Sequence, residues 1–285
     1  MRYNRAVNGL KYKLIVSDFD GTLTDCNGNI PQENIAAIKA YRAAGGIFTV
    51  STGRMHQSII QKLDTLGLGG VSIPLVSYQG ALIVDSKTKE RLHAVEMEKE
   101  TVQKILRFCE SNRLYVHFYS FDRLYVKEYG EIAKMYVEYT DIKEYVTVAG
   151  NLEAYMDAHP ELPICKVLII DDADRVLETE KRINTHLNGA AVFSRASARL
   201  TECTDNKAGK GNAVRWFSQA LGIPLKEIAA IGDAGNDASM LEAAGLGIAM
   251  GNAPEYLKKI ADYVTDDNQN VGLAKAIYKI LNNEL

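Results

Sequence analysis

Four aspartates in two short motifs could combine into one acidic site. They are Asp18 and Asp20 in a DxDGT motif, and Asp233 and Asp237 in a GDxxND motif. Four carboxylates packed together would repel one another, and some would take up protons unless a cation compensated them. A hard divalent cation such as Mg²⁺ suits such a group, because it prefers carboxylate oxygens, waters and the oxygens of a phosphate. The two motifs therefore predict a magnesium site that can also receive a phosphoryl group.

Three further residues would favour an anion beside that cation. Lys210 adds a positive charge, and Thr52 offers a hydroxyl group next to Gly53 at the predicted start of a helix. Backbone N–H groups at a helix N-terminus attract anions. Carboxylates, one metal ion, one lysine and a helix start together favour the binding and transfer of a phosphoryl group.

The two aspartates of the first motif would have different tasks. Asp18 directly follows a predicted strand, so it should be held rigidly enough to attack phosphorus in line. Asp20 would protonate the leaving oxygen and later take a proton from the water that cleaves the acyl-phosphate. This interpretation predicts a nucleophile at Asp18 and a general acid and base at Asp20.

Short apolar runs precede these motifs and must position them. Residues 14–16, 47–50 and 228–231 are predicted as buried strands, and each ends where polar residues begin. Helical patterns lie between them, so strands and helices alternate as in a parallel sheet with right-handed crossovers. A run at residues 74–77 is predicted as a third strand of this sheet. Since ligands bind outside the carboxyl ends of such strands, all the motifs should meet at one edge of the sheet.

The middle of the chain has a different pattern and predicts a second domain. Residues 114–119 and 123–127 are rich in Tyr and Val and are predicted as the two arms of a hairpin. They lie in a stretch of roughly 110 residues, which is enough chain for a domain. We interpret residues 83–190 as an α/β domain inserted into a core formed by residues 1–82 and 191–285.

Composition bounds the class of protein. The 285 residues are 47% hydrophobic and 24% charged, with a formal net charge of -3. The charges are interspersed, and no basic run provides an electrostatic footprint for nucleic acid. Four scattered cysteines form no CxxC pair, and no apolar run is long enough to span a bilayer. With no apolar segment typical of a signal peptide at the start, we expect a soluble cytoplasmic protein; its oligomeric state is not predicted.

In their order and spacing, these motifs resemble those of the haloacid dehalogenase superfamily, in its Cof-type sugar-phosphatase branch (subfamily IIB). The matching residues are Asp18 to Thr22 as motif I, Thr52 in a TGR context as motif II, Lys210 in a KGxA context as motif III, and Gly232 to Asp237 followed by Met240 and Leu241 as motif IV. The resemblance implies a Rossmann-like α/β core with a parallel sheet. The insertion lies between the second and third motifs, which resembles a type C2 cap in its C2B form.

The resemblance also implies roles for individual residues. Mg²⁺ would bind Asp18, the backbone carbonyl of Asp20 and Asp233, while Asp237 would support the metal or the lysine from behind. The predicted phosphate contacts are Thr52, Gly53, Lys210, Asn236 and backbone N–H groups near Phe19. One departure is Gln79, which stands where this branch usually has asparagine.

The favoured function is a Mg²⁺-dependent phosphatase acting on small phosphorylated metabolites, sugar phosphates first. The alternatives are a phosphomutase of the same superfamily, which would return the phosphoryl group to its substrate, and a non-catalytic phosphate-binding module. Predicted contacts to the leaving group are Arg54, and, in the inserted domain, His117, Tyr119 and Arg123.

Overall fold

The computed structural model describes residues 9–63, 67, 72–195 and 198–285. Within them the strands are, in chain order, β1 (Leu14–Ser17), β2 (Ile47–Val50), β3 (Pro74–Ser77), β4 (Leu82–Asp85), β5 (Arg91–Ala94), β6 (Tyr115–Tyr119), β7 (Leu124–Val126), β8 (Val146–Val148), β9 (Lys166–Ile170), β10 (Val192–Arg195), β11 (Leu200–Thr204), β12 (Ile228–Gly232), β13 (Leu246–Ala249) and β14 (Tyr263–Val264).

The helices are α1 (Gln32–Ala43), α2 (His56–Leu63), α3 (Lys99–Ser111), α4 (Glu131–Thr140), α5 (Leu152–Ala158), α6 (Val176–Leu187), α7 (Lys210–Leu221), α8 (Ala238–Ala243), α9 (Glu255–Ile260) and α10 (Gly272–Leu281). Short 3₁₀ turns lie at Tyr78–Gly80, Lys143–Tyr145, Leu225–Glu227, Gly235–Asp237 and Asn268–Asn270. In this part of the chain, no helix combines the length and the apolar character that crossing a bilayer requires.

A five-stranded parallel sheet in the order β14-β13-β12-β1-β2 forms the centre of the core. Leu14 pairs with Ile228 and Ser17 with Ile231, so β1 and β12 end side by side. The chain continues from β1 to β2 on one side of this pair, and from β12 to β13 and β14 on the other side. This topological switch point is where open α/β sheets bind ligands. The predicted parallel sheet and α/β class are confirmed.

Both faces of this sheet are buried, which explains why its strands are apolar runs with little alternation. Leu14 and Val16 pack on one face with Phe217 of α7. Ile15 packs on the opposite face with Ile38 of α1. Helices α1 and α10 contact each other on that second face, and α7 and α8 contact each other on the first.

The strand predicted at residues 74–77 exists, but its place in the parallel sheet was predicted wrongly. β3 pairs antiparallel with β4 in a separate sheet ordered β3-β4-β5. It meets the end of β2 only through an isolated parallel bridge between Ser51 and Val76. The tight turn at Tyr78–Gly80 reverses the chain, so the hairpin partner takes most of the hydrogen bonds of β3.

A six-stranded sheet in the order β10-β11-β9-β6-β7-β8 organises the inserted cap. The predicted hairpin is confirmed as the antiparallel pair β6 and β7. However, the predicted boundaries at 82/83 and 190/191 do not follow the sheets. The first cuts through β4, and the second assigns β10 and β11 to the core although β11 pairs with β9 of the cap. The alternation of apolar and polar residues predicts a strand, but it does not indicate which sheet the strand joins.

Strand β9 joins the two sides of the cap because its residues alternate between them. Val167 and Ile169 pack with Ile105 of α3 on one face. Leu168 and Ile170 point the other way and belong to the same hydrophobic cluster as Tyr136 of α4. Helix α4 therefore covers the face of the cap sheet that is turned toward the core.

Candidate active site

Three of the four predicted carboxylates converge at the ends of β1 and β12. Asp18, Asp233 and Asp237 each offer an oxygen, and these oxygens lie within 4.8 Å of one another. The adjacent strand ends produce this convergence, since the Asp18 N–H donates to the Ile231 carbonyl at 2.9 Å. The predicted meeting of the two motifs at one edge of the sheet is thus confirmed.

Lys210 lies at the first position of α7 and reaches the same point. Its Nζ donates to Asp18 Oδ1 at 2.5 Å and to Asp237 Oδ1 at 2.6 Å. Burial alone would lower the pKa of Lys210, but the charges of both aspartates outweigh it and raise this pKa above the ordinary value. The lysine therefore stays positively charged in a nearly solvent-free position.

Asp237 supports the site from behind. While Oδ1 accepts from Lys210, Oδ2 accepts the backbone N–H groups of Asp233 and Ala234, each at 2.9 Å. One fully buried carboxylate thus fixes both the lysine and the loop that carries Asp233. This arrangement agrees with the supporting role that the resemblance implies for Asp237.

Gly21 allows the second motif to approach the first. Its φ of +78° is left-handed, and a Cβ there would lie 2.4 Å from Asp233 Oδ2. The neighbouring Thr22 hydroxyl donates to Asp233 Oδ1 at 2.7 Å. From the other side, Asn252 Nδ2 donates to the Gly21 carbonyl and to Asp233 Oδ2, at 3.0 and 3.1 Å. The glycine is required because the carboxylate occupies the space a side chain would need.

The electrostatics of the cluster favour a cation. Burial, followed by the charge of Asp237, raises the pKa of Asp18 well above its ordinary value, although Lys210 acts in the opposite direction. Burial and Asp237 likewise raise the pKa of Asp233 to about 6. One lysine does not compensate these carboxylates fully. A close set of carboxylate oxygens with excess negative charge fits a hard divalent ion such as Mg²⁺.

Asp20 stands apart from the three clustered carboxylates. Arg54 binds it through two parallel hydrogen bonds, from Nε and Nη2 to the two carboxylate oxygens, each at 2.7 Å. The Asp20 side chain is 45% exposed, so it faces the cavity instead of the buried cluster. The Arg54 guanidinium also lies over the Tyr139 ring of the cap, 4.9 Å from its centroid.

The residues predicted to contact phosphate surround the same opening. Thr52, Gly53 and Asn236 line the cavity together with Asp18 and Asp20. The Thr52 hydroxyl accepts the backbone N–H of Arg54 at 3.1 Å, which closes a turn before α2. The predicted contact near Phe19 concerns its backbone N–H and stays a prediction; the Phe19 ring is buried beneath the Arg54 guanidinium.

A buried network that the sequence did not predict ties the cap to this loop. Lys166 of β9 donates to Glu202 of β11 and to the Gly53 carbonyl, the latter at 2.6 Å. Glu202 accepts from Gln79 Nε2 at 2.6 Å, and Gln79 Oε1 accepts from Asn236 Nδ2 at 3.1 Å. The signal available in the sequence was weak: each charge stands alone in an otherwise apolar or uncharged run.

Gln79 therefore connects Glu202 and Asn236 at the position where the resemblance implies asparagine. Its backbone is left-handed, with φ 57° and ψ 29°, and its side chain is buried between Glu202 and Asn236. The longer amide bridges the cap strand and the fourth motif. The departure from the usual residue thus coincides with a direct link between cap and core.

A cavity of about 680 Å³ opens from the aspartates toward the cap. Of the predicted contacts to the leaving group, only Arg54 lines it. His117 and Tyr119 are buried within the cap, where the Tyr119 hydroxyl donates to Tyr136. Arg123 bonds to Thr147 and to the Val146 carbonyl at the far edge of the sheet. His117 and Tyr119 share the face of β6 that packs inside the cap, and Arg123 lies in the turn before β7, so the three predictions do not match the cavity.

Comparisons with known proteins agree with this geometry. Residues 15–277 match the family model described as haloacid dehalogenase-like hydrolase. The chain is 30% identical to the Bacillus subtilis protein YxeH over 271 residues, 95% of this chain and 98% of the relative. It is 29% identical to the 5-amino-6-(5-phospho-D-ribitylamino)uracil phosphatase YwtE of Bacillus subtilis over 294 residues, covering 95% and 99% of the two chains.

A solved structure shows the same architecture. It is a haloacid dehalogenase-like hydrolase from Bacteroides thetaiotaomicron, with a TM-score of 0.82 and 27% identity, covering 95% of this chain and 100% of the other. The convergence of Asp18, Asp233 and Asp237 at one edge of a parallel sheet is as the sequence predicted. The chain therefore belongs to the haloacid dehalogenase-like hydrolase family, in its Cof-type branch.

Proposed function

We propose that this protein is a Mg²⁺-dependent phosphatase that hydrolyses small phosphorylated metabolites through an aspartyl-phosphate on Asp18. The observation that supports it most is the convergence of Asp18, Asp233, Asp237 and Lys210, of which Asp18 and Asp233 line the cavity. Relatives matched over almost the full length include a phosphatase, which supports hydrolysis of phosphoric monoesters.

Asp18 is the nucleophile in this proposal. It lies at the end of a central strand and its Oδ1 is anchored by Lys210, which limits its freedom and orients the carboxylate. The lysine also offsets the repulsion between Asp18 and an incoming phosphate. Attack on phosphorus forms the acyl-phosphate and expels the alkoxide of the substrate.

Asp20 is the proton donor and acceptor in this proposal. As a carboxylate held by Arg54, it would accept a proton from the water that cleaves the acyl-phosphate. To protonate the leaving oxygen in the first step, Asp20 must first carry a proton and leave the guanidinium. Arg54 would have to release Asp20 in this step, and its guanidinium also lies over the Tyr139 ring of the cap.

Asp18, Asp233 and the Asp20 carbonyl would hold the metal ion, which would offset negative charge on the transferring phosphoryl group. Asp237 is engaged with Lys210 and two backbone N–H groups, so it positions these residues instead of the substrate. Thr52, Gly53 and Asn236 face the same space and are proposed to contact the phosphate oxygens.

Release of inorganic phosphate from a panel of phosphomonoesters, measured with Mg²⁺, tests this function. Excess EDTA should abolish release and added Mg²⁺ should restore it. Asp18→Asn should remove turnover by about a thousandfold or more, because it deletes the nucleophile while preserving shape. Undiminished activity in EDTA, or substantial hydrolysis by the folded Asp18→Asn protein, would contradict the proposal.

The same assay separates the alternatives. A phosphomutase would convert one sugar phosphate into its isomer with little free phosphate, and a binding module would release none. The presence of Asp20 argues against a binding module, because a site that only binds phosphate does not need an acid next to the leaving group. Sugar phosphates, which the resemblance favours, form one arm of the panel.

A further inference from the structure

The hydrogen bonds that run from Lys166 of the cap to Asn236 of the core have a fixed direction. Lys166 Nζ donates to Glu202 Oε1, and an ammonium group has no acceptor to offer. Glu202 Oε2 accepts from Gln79 Nε2 at 2.6 Å. Because the carboxylate takes the Gln79 amide nitrogen, the Gln79 oxygen is left for Asn236, whose Nδ2 donates to it at 3.1 Å. We call this row of four side chains the cap-to-core relay.

The relay decides which atom Asn236 presents to a ligand. If the Asn236 amide turned its oxygen toward Gln79, two acceptors would oppose each other, so the bonded orientation has Nδ2 toward Gln79. Asn236 lines the cavity, and its Oδ1 is buried. The second hydrogen on Nδ2 is therefore the donor of this side chain that remains for a phosphate oxygen. An amide oxygen in the same place would repel the phosphate.

Members of the relay also hold the loop of the second motif. Lys166 Nζ donates to the Gly53 carbonyl at 2.6 Å, and the Gln79 backbone N–H donates to the Thr52 carbonyl at 3.1 Å. A Cβ on Gly53 would lie 2.5 Å from Gln79 Nε2 and 2.6 Å from Glu202 Oε2, so the loop packs directly on the relay. Because a peptide group is planar, the bond to the Thr52 carbonyl also fixes the direction of the Gly53 N–H, a predicted phosphate donor.

The relay is buried, and its reach depends on Gln79. The side chains of Lys166 and Glu202 are 1% and 5% exposed, and Gln79 is 4% exposed, so water competes little for these hydrogen bonds. A glutamine is one methylene longer than the asparagine that the resemblance implies here. That extra length lets one amide bond to Glu202 at one end and to Asn236 at the other.

We propose that Gln79, Glu202 and Lys166 are positioning residues for phosphate binding, because they turn the Asn236 amide so that its nitrogen faces the phosphate. Lys166 and Glu202 belong to β9 and β11, so the phosphate site is complete only while these cap strands lie against the core. This inference rests on the proposed function, since it concerns the phosphate of the same site.

A double-mutant cycle tests whether Gln79 acts through Asn236. Gln79→Met keeps the length of the side chain but removes both ends of the bridge. It should reduce kcat/KM for the most readily hydrolysed ester, and weaken the binding of inorganic phosphate with Mg²⁺, each by about tenfold, the effect of misplacing one hydrogen bond to a charged group. In the Asn236→Ala protein the same substitution should change both by less than about twofold. Phosphate release and isothermal titration calorimetry measure the two quantities.

Glu202→Gln tests the direction of the relay with a side chain of the same shape. Lys166 would bind the new amide through its oxygen, so the new nitrogen would face Gln79. The amides of Gln79 and Asn236 would then both have to turn over. Binding of inorganic phosphate should weaken by about tenfold, and by less than about twofold when Asn236→Ala is already present.

Two further variants control for folding and for general effects on the cap. Gln79→Asn keeps an amide that is too short for the bridge, and asparagine suits the left-handed backbone at this position, so it should fold and show the losses of Gln79→Met. Gln103→Met is the matched control, since Gln103 bonds to Asp157 on the cap surface outside the cavity lining. It should leave phosphate binding and turnover unchanged.

The outcomes separate the relay from the phosphatase function. If no ester releases phosphate but inorganic phosphate binds and the cycle behaves as described, the phosphatase proposal fails and the relay stands. Equal losses with and without the Asn236 side chain would overturn the relay, because Gln79 would then act by another route. Unchanged phosphate affinity in folded Gln79→Asn and Glu202→Gln proteins would overturn it as well, and so would a wild-type protein that binds no phosphate.

Discussion

Lys210 places one positive charge between two buried carboxylates and holds both of them in place. The lysine is 1% exposed and its ammonium contacts both Asp18 and Asp237. Removal of this charge would leave two carboxylates buried without a partner, and such losses are far larger than losses at the surface. In the proposed mechanism the same residue would serve both stability and catalysis.

Lys210→Met should therefore lower the free energy of unfolding by about 3–5 kcal/mol in metal-free protein and abolish turnover. Lys207→Met is the matched control, because Lys207 is exposed three residues earlier and should change unfolding by less than about 0.5 kcal/mol. Chemical denaturation measures the first effect and phosphate release the second. Equal stability of the two variants would contradict the assigned role.

His117 illustrates a residue whose environment the sequence did not reveal. It is fully buried among Tyr115, Tyr119 and Tyr136, with ring centroids 4.7 to 5.6 Å away. Burial, followed by the charge of Lys166, lowers the pKa of His117 well below 6.5. The folded protein therefore keeps this imidazole neutral at pH values where the unfolded chain binds a proton.

This difference gives stability a pH dependence of definite sign. As pH falls below about 6.5 the unfolded state takes up the proton first, so the free energy of unfolding decreases toward acid pH. His117→Phe removes the titrating group. Its thermal midpoint should fall less than that of the wild type between pH 7 and pH 5, whatever its absolute value. Parallel curves for the two proteins would show that His117 does not titrate on unfolding.

At the scale of elements, the motifs were predictable where one strand and the following turn carry the whole signal. Asp18 follows β1 and Asp233 follows β12, and the sheet order brings them together without further information. Lys166 and Glu202 were not predictable, because their meaning comes from the antiparallel pairing of β9 and β11. Which strands lie side by side determines whether such a pair forms, and the sequence of either strand alone does not indicate its neighbour.

The pair formed by Lys166 and Glu202 connects two cap strands to the Gly53 carbonyl of the core. Their side chains are 1% and 5% exposed. Lys166→Met should lower the free energy of unfolding by about 3–5 kcal/mol, because Glu202 would keep a buried charge without its partner. Adding Glu202→Gln should recover part of this loss, since the amide is neutral and can still accept from Gln79.

A surface pair provides the comparison for this cycle. Lys104 and Glu100 are spaced i,i+4 on α3, with side chains 47% and 78% exposed. Lys104→Met should cost less than about 0.5 kcal/mol. Denaturant titrations of Lys166→Met, Glu202→Gln, the double variant and Lys104→Met measure these differences. If the double variant were as unstable as the two single losses added together, the two side chains would not be energetically coupled.

At the scale of the whole molecule, the active site joins segments that lie on either side of the cap in the sequence. Asp18 comes from the first core segment, while Lys210 and Asp233 come from the second. The cap contacts the first segment through Gln79 and Gly53, and Gln79 in turn accepts from Asn236 of the second. Its boundaries in sequence were harder to predict than the core, because β10 and β11 return to the cap sheet just before the chain re-enters the core.

This arrangement makes the proposed metal site a property of the folded chain. The carboxylates meet only when β1 and β12 pair, so the unfolded chain offers no comparable site. A ligand that binds only the folded state at a hundred times its dissociation constant stabilises it by about 2.7 kcal/mol. Saturating Mg²⁺ should therefore raise the thermal midpoint by several degrees. Asp233→Asn should largely cancel this rise, because it removes one of the charged oxygen donors. Asp266→Asn is the control and should retain the rise, because Asp266 is exposed and lies away from the cavity lining. Differential scanning calorimetry with and without Mg²⁺ measures all three proteins, and an equal rise in the Asp233→Asn protein would place the ion outside the carboxylate cluster.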